Sequence, residues 1–390
     1  MNTRIATDKD YNQIRKIWTY CFNEGKDIED CYFENKYSYL NTIVSEIEGE
    51  VVSSIHLNQH TIKLNDKEEK VSYVVGVSTL PEARGKGIMK NMMSFALEEM
   101  YNRNQNVAIL MPIDFRLYRK FGFENCYDMI EQKININDLS NFRLNRNFKK
   151  AKISDIETLI DIYSKSNKRL NGYALRDEKR YKNLFKEVEA DNSQIYISYD
   201  DNMANDGYLV YSISDNKIFV REIYFTNTES LKSMLAFLYN HNTQCEKVII
   251  MEDIRNILNS ILSNPKTSES VLKPFMMGRI INMYNCLKNI DIYNKDFSGI
   301  IISIKDEYII NNTGNYHLEF KSGKYELNKS EYDPKKSDID LNINQMSQLI
   351  FGYKDIEDIL EIENKEIKET ELYTLKNLFI KKKNHINEYD

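Results

Sequence analysis

The sequence predicts an α+β protein built of three successive units, and three observations carry that prediction. Short β-branched and aromatic runs alternate with amphipathic helical stretches along the chain. The order of elements over residues 1–145 returns, with a weaker signature, over 146–289. A chain of 390 residues is too long for one hydrophobic core, and the remainder, 290–390, carries strands and helices of its own.

The first unit opens with a helix over Ala6–Asn23, capped at Thr7, with Tyr11, Ile14, Ile17, Trp18 and Cys21 along one face. Three β-rich runs then reach Leu80, broken at Glu48–Glu50 and Asn65–Glu69, which is the pattern of an antiparallel meander. The stretch "LPEARGKGIMKNMM", Leu80–Met93, passes from a strand into a helix whose apolar face holds Ile88, Met89, Met92, Met93, Ala96, Leu97 and Met100. "NVAILMPI", Asn106–Ile113, reads as a short buried strand, so strand, helix and strand make a parallel pair with a right-handed crossover. A short helix in "FRLYRKFGF" and a strand in "YDMIEQKINI" complete the unit.

The second unit restarts with a capped amphipathic helix in "KKAKISDIETLIDIYSKS". Strands follow at "QIYISYD", "GYLVYSI" and "KIFVREIYF", then the helix "TESLKSMLAFLYNHNTQC" and the strand "KVIIMED". Its strand-to-helix junction, "FTNTESLK", lacks glycine and positive charge, so it is expected not to bind what the first junction binds. The third unit has strands at "SGIIISIKD", "NYHLEFKSGKYEL" and "DIDLNIN", and helices at "INQMSQLIFGY" and "KETELYTLKNLFIKK". It ends in the polar tail "NHINEYD", whose composition alone reads as disordered.

Composition narrows the function. A net charge of −6 argues against a nucleic-acid partner, which needs a concentrated basic face, and suits a cationic substrate. No run approaches the roughly 18 apolar residues of a membrane span, and the first residues lack a secretory signal, so no membrane partner and a cytoplasmic location are expected. The five cysteines are scattered without a CxxC pair and read as reduced thiols. His56 and His60 point the same way in strand-like sequence and leave a metal site open, but none is expected.

Chemistry concentrates at Arg84–Gly87, the first turn of a helix. Backbone N–H groups there have no partner within the helix and the helix dipole adds partial positive charge. Gly85 and Gly87 allow an anion close to the backbone, and Arg84, Lys86 and Lys90 supply charge, a description that suits a pyrophosphate. The spacings of a P-loop and of a dinucleotide fingerprint are both absent. The segment resembles the R-x-x-G-x-G/A loop of GCN5-related N-acetyltransferases (GNAT), read as Arg84, Gly87 and, in the last place, Met89. "LYRKFGF" is similar to the family's [FL]Y-x-x-x-GF pattern.

The three-unit layout further resembles the enhanced intracellular survival (Eis) branch of that family. This likeness implies tandem GNAT folds, with mixed central sheets flanked by helices and a degenerate second copy, followed by a sterol-carrier-protein-like domain. It implies acetyl-CoA as co-substrate, contacted by Val77, Ser78, Thr79, Arg84, Gly85, Lys86, Gly87, Ile88, Met89, Lys90, Ile113 and Asp114, and no metal. Tyr118 is implied as the general acid for the leaving thiolate, because a phenol beside the sulfur can protonate it. The C-terminal carboxylate, which here belongs to Asp390 and is delivered by the tail, is implied as the general base. The expected acceptor is a cationic multi-amine, aminoglycoside-like, or a protein lysine, and a homo-oligomer, a hexamer, is implied by the family alone. Asp114, Trp18, Phe22, Glu24 and Asp27 read equally as a cation pocket, as surface charge or as core. The rival reading is a non-catalytic CoA- or lipid-binding protein using the last domain.

Overall fold

In the computed structural model, residues 1–290, 299–321 and 324–389 are described. The first unit runs β1 (Asn2–Ile5), α1 (Tyr11–Phe22), α2 (Lys26–Asn35), β2 (Thr42–Ile47), β3 (Glu50–Leu64), β4 (Lys67–Thr79), α3 (Ile88–Asn102), β5 (Val107–Leu110), α4 (Phe115–Arg119) and β6 (Glu124–Asn135). The meander and the crossover follow the sequence pattern. At the turn between β3 and β4, Asn65 and Asp66 both take positive φ, 51° and 59°, as a tight hairpin demands of residues that tolerate the left-handed region. β5 stops at Leu110 rather than at Ile113 because Pro112 has no N–H for a ladder and biases Met111 as well.

The second unit runs β7 (Asn147–Lys150), α5 (Ile156–Asn167), β8 (Tyr173–Ala174), α6 (Glu178–Ala190), β9 (Gln194–Tyr199), β10 (Asn205–Ser214), β11 (Lys217–Phe225), α7 (Thr228–Tyr239), β12 (Lys247–Glu252), α8 (Ile257–Ile261) and β13 (Glu269–Ile280). The two units do not close separate sheets. Strands are ordered β1-β2-β3-β4-β5-β13-β6-β12-β11-β10-β9-β7, with β8 added to β3. Thus β13, the last strand of the second unit, lies between β5 and β6 of the first, while β6 pairs with β12. Each unit completes itself with the other's strand.

The parallel pair β4 and β5 divides two cores. Val71, Tyr73 and Val75 point to one face, where they pack with Ile14, Ile17 and Trp18 of α1. Val74, Ala108 and Leu110 point to the other, against Met92, Met93, Ala96 and Leu97 of α3. This is the two-residue alternation of a strand buried on both sides.

α9 (Met283–Lys288) follows β13, and its Met283 and Leu287 pack into the core of the third unit, which contains β14 (Ile300–Lys305), β15 (Gly314–Lys321), β16 (Lys324–Ser330), β17 (Ile339–Asn342), α10 (Ile343–Phe351), α11 (Ile356–Glu363) and α12 (Glu369–Leu378). Its sheet is ordered β16-β15-β14-β17. The tail corrects the expectation of disorder: Asn384 to Glu388 are buried, and Asn384 donates to the Cys126 carbonyl at 2.8 Å. Buried polar backbone and side chains are tolerated because partners in both other units meet them. Among the described residues no helix is long and apolar enough to cross a membrane.

Candidate active site

β4 and β5 pair from Ser72↔Ala108 to Val74↔Leu110; β5 then ends while β4 continues to Thr79. A slot opens between them. Against β3, Ser54 pairs with Ser78 but His56 with Val75, so Gly76 and Val77 bulge opposite Ile55. Gly76 sits at φ 59°, and a Cβ there would lie 2.3 Å from the Trp18 ring. Glycine is required for both reasons. Leu80 N–H donates to the Val52 carbonyl, so by alternation residues 78 and 80 bond toward β3, and Val77 and Thr79 present their backbone to the slot. The Thr79 carbonyl accepts from Arg84 Nε at 3.0 Å, whereas the Ser78 hydroxyl is engaged with Ser54 at 3.0 Å.

The slot leads to the glycine-basic loop. Gly85 and Gly87 take φ of 76° and 74° with open space around them, so the left-handed backbone, not crowding, calls for glycine. α3 begins immediately after, at Ile88. From Gly85 to Lys90 no backbone N–H has a backbone acceptor among the described residues. Arg84, Lys86 and Lys90 are exposed around these donors. Met89 is half-buried against the α3-side core, which is where an apolar residue, rather than Gly or Ala, fits. The cradle suits the diphosphate of a nucleotide-linked thioester.

Tyr118 lies on α4, 5% exposed, in the same apolar cluster as Val74, Ile88 and Leu110, with Val77 and Met89 packed beside it. Burial pushes its phenol up to about 12, so it stands as a proton donor at neutral pH. Ile113 is 79% exposed at the end of the slot. The Asp114 carboxylate caps α4, accepting from Arg116 N at 2.9 Å, and the Arg116 side chain holds it below its usual range. That carboxylate is committed to its own helix.

On the opposite face the tail arrives. The Tyr389 ring lies 5.5 Å from that of Phe275, its carbonyl accepts from Lys36 Nζ at 2.8 Å, and the Tyr73 hydroxyl donates to the Glu388 carbonyl at 3.3 Å. Asp390 itself lies outside the described residues. Glu388 is fully buried between Arg176, at 2.6 Å, and Arg180, at 2.7 Å. Burial alone would raise this carboxyl; the two guanidinium groups override it and hold it at about 2. Sequence reasoning passed over Arg176, Arg180, Glu222 and Lys36, which look like ordinary surface charges in polar stretches. A cleft of about 660 Å³ opens beside Lys36, His60, Lys70, Asp177, Lys179 and Arg180.

Around Trp18 an aromatic group forms: its ring stacks on Tyr32 at 4.3 Å and on His56 at 5.2 Å. The Tyr32 hydroxyl and His56 Nδ1 are 2.8 Å apart. Trp18 is therefore core, packed over the Gly76 bulge. Among the described residues no group of three or more His, Cys, Asp or Glu is placed to hold a metal.

Parallel strands that part ahead of a helix start with unpartnered N–H groups and basic neighbours, with a phenol in the core beneath, are the arrangement that an acyltransferase drawing its acyl group from a nucleotide thioester requires. Comparison with known proteins gives the family. Residues 2–126 match an acetyltransferase (GNAT) domain, 172–280 a second acetyltransferase (GNAT) domain, and 282–387 a sterol carrier protein domain. The chain belongs to the GNAT acetyltransferases, and those domains imply acetyl-CoA as co-substrate. No curated protein matches it in sequence. Solved structures share its fold over the full length: a protein from Enterococcus faecalis described as a probable N-acyltransferase (17% identity, 100% of this chain and 99% of that one, TM-score 0.88), a GCN5-related N-acetyltransferase from Anabaena variabilis (18%, 100% and 100%, 0.86), and Eis1 from Mycobacterium abscessus (13%, 100% and 100%, 0.78).

Proposed function

We propose that the protein acetylates a primary amine by direct attack, with Tyr118 as general acid and a carboxylate of Asp390 as general base. The observation that supports this reading is that Tyr118 and the last described residue of the tail, Tyr389, approach one slot from opposite faces. Tyr118 sits in the α3-side core, and the tail reaches the other side at Phe275, which packs against the α1-side core. Bound acetyl-CoA supplies the thioester carbonyl that the amine attacks. The loop from Arg84 to Lys90 holds its phosphates, and backbone groups of Val77 and Thr79 hold its arm as an added strand edge. An ammonium approaching from the tail side must lose a proton, which a carboxylate in a cleft accepts directly or through water; the departing thiolate takes one from the buried phenol. Ile113 and Asp114 border the exit of the slot.

For the acceptor, the cleft beside Lys36 is the space available. On its rim Lys36 and Arg180 are already paired with Glu187 and Glu388, which leaves Lys70 and Lys179 against Asp177, a small basic excess that favours an amine bearing an anionic group over the polycation that net charge suggests. Thiol release measured with acetyl-CoA and a panel of amines tests both statements. The panel pairs a polyamine and an aminoglycoside with a lysine peptide and an amino acid. Turnover highest for the carboxylate-bearing amines supports the assignment, highest turnover for the polycations returns the acceptor to the cationic class, and no turnover with any amine removes the reading. Among the described residues of the third unit, nothing favours the lipid-carrier alternative. Ile302, Ile304, Tyr316, Leu318, Met346 and Phe379 fill its interior, and the cavity where it meets the first unit measures about 40 Å³, room for water rather than an acyl chain.

A further inference from the structure

We infer that the second unit is the receptor for the chain's own C-terminal segment, and that Glu388 is the positioning residue that sets Tyr389 at the mouth of the first unit's slot. The kinetic side of this inference rests on the acyl-transfer reading above; the docking side rests on geometry alone.

The second unit keeps the slot. β11 and β12 run parallel from Lys217↔Lys247 to Val220↔Ile250, and β11 then continues to Phe225. Val210 pairs with Glu222 but Tyr211 with Val220, so β11 bulges at Arg221, just past the last parallel pair, as β4 does at Gly76. In the first unit this bulge lies beside backbone offered to a ligand. In the second it is taken: Asn387 Nδ2 donates to the Arg221 carbonyl at 2.8 Å, and His385 Nε2 lies 3.2 Å from the Tyr224 hydroxyl. What remains is a cavity of about 20 Å³ bounded by Tyr224, Met251, Glu252, His385 and Asn387. The helix start that follows is closed as well, because the Asn227 side chain accepts from Ser230 N at 2.9 Å. The degenerate copy binds a piece of this chain where its twin binds a co-substrate.

Glu388 fixes the register of that piece. It bridges Arg176 and Arg180, and Arg176 also pairs with Glu222, beside the bulge, at 2.8 Å. Arg176, Glu222 and Glu388 are all essentially inaccessible to water. Sliding the segment by one residue would set Asn387 or Tyr389 before the guanidinium groups and leave buried charge uncompensated, so one register is strongly preferred. In that register the first unit receives the end of the segment. Met277 pairs with Leu110, the last residue of β5, and Phe275, which the Tyr389 ring meets, lies just beyond that pair, where the slot opens.

The test uses the full-length protein with Glu388→Gln. Expected are a fall in kcat of about tenfold or more, an acetyl-CoA Kd by calorimetry within about twofold of wild type, and release of C-terminal residues by carboxypeptidase at least about tenfold faster. Loss of acetyl-CoA affinity in step with kcat would overturn the positioning role in favour of a general structural one. If the wild type acetylates no amine, the acyl-transfer reading fails, and digestion still decides the docking: equal rates for wild type and variant would overturn it. Should Glu388→Gln not fold, Arg180→Met, at the less buried side of the ion group, carries the same readouts. Unchanged kcat and unchanged digestion in that variant would overturn the inference.

Discussion

The two GNAT units share a bulge, a parallel strand pair that parts just before or at it, and a helix that starts beyond it, yet only one of them leaves those features open. In the first unit Gly76, Gly85 and Gly87 put no side chain where the backbone must be reached. At the matching places the second unit has Arg221 and Glu222 on its bulge and Asn227 on its helix start; Glu222 and Asn227 bond inward, and Arg221 pairs with Glu187 and Asp191. The comparison teaches that backbone architecture supplies a slot, while a few side chains decide whether it is a substrate site or an internal joint.

The comparison breaks most severely at Gly76. Gly76→Val should abolish activity and lower thermal stability by several degrees, because the new Cβ meets Trp18 and the backbone is left-handed, each worth about 1–3 kcal/mol; activity with the melting temperature checks it. Tyr118→Phe comes next: kcat should fall by roughly 10²-fold with acetyl-CoA affinity intact, read by steady-state kinetics beside calorimetry. Gly87→Val should raise the acetyl-CoA KM about tenfold, since forcing a β-branched residue into φ > 0 costs about 1–2 kcal/mol at the phosphate cradle. The mirror experiment in the second unit sharpens the contrast. Asn227→Ala removes a helix cap and should cost about 1 kcal/mol of stability while leaving acetyl-CoA affinity untouched, as chemical denaturation and calorimetry would report.

A pH prediction belongs to the aromatic group over the bulge. Burial pushes His56 down to about 3. Below its unfolded value of about 6.5 the unfolded chain takes up a proton that the folded chain refuses. This stabilising contribution is whole above pH 6.5 and drains away as pH falls toward 3, by at most about 1.4 kcal/mol per pH unit. Buried His385, lowered for the same first reason, acts with the same sign. Glu252, which burial raises to about 7, acts with the opposite sign over the same window, so the readout is a difference between variants: His56→Phe, which keeps a ring against Trp18, should raise the melting temperature at pH 5 relative to that at pH 7 when compared with wild type.

Much of the first unit was legible because its signals are local. The meander, the crossover, the loop at Arg84–Gly87 and the tyrosine of "LYRKFGF" each declare themselves within a dozen residues. The exchange of β6 and β13 does not, since periodicity shows that a strand is buried but not which neighbour it pairs with. α2 and α6 escaped because charged residues dominate their turns and their apolar stripes are narrow. The tail was least legible. Its order depends on partners such as Arg176, 212 residues earlier in the chain, and no window over "NHINEYD" contains them. Lys36 and Glu187, paired at 3.1 Å beside the cleft, were unreadable for the same reason.

The strand exchange has a consequence for how the molecule is made. On the ribosome, β5 is synthesised long before β13, its sheet neighbour on one side. From Leu110 to Ile280 is about 170 residues, or roughly 10–30 s of synthesis at about 5–20 residues per second. Throughout that interval the growing chain carries an unpaired hydrophobic strand edge, a template for wrong pairing. The protein's most exposed moment is thus before release, and its yield in a cell should respond to translation speed and to chaperones that shield an edge more than to the stability of the finished fold.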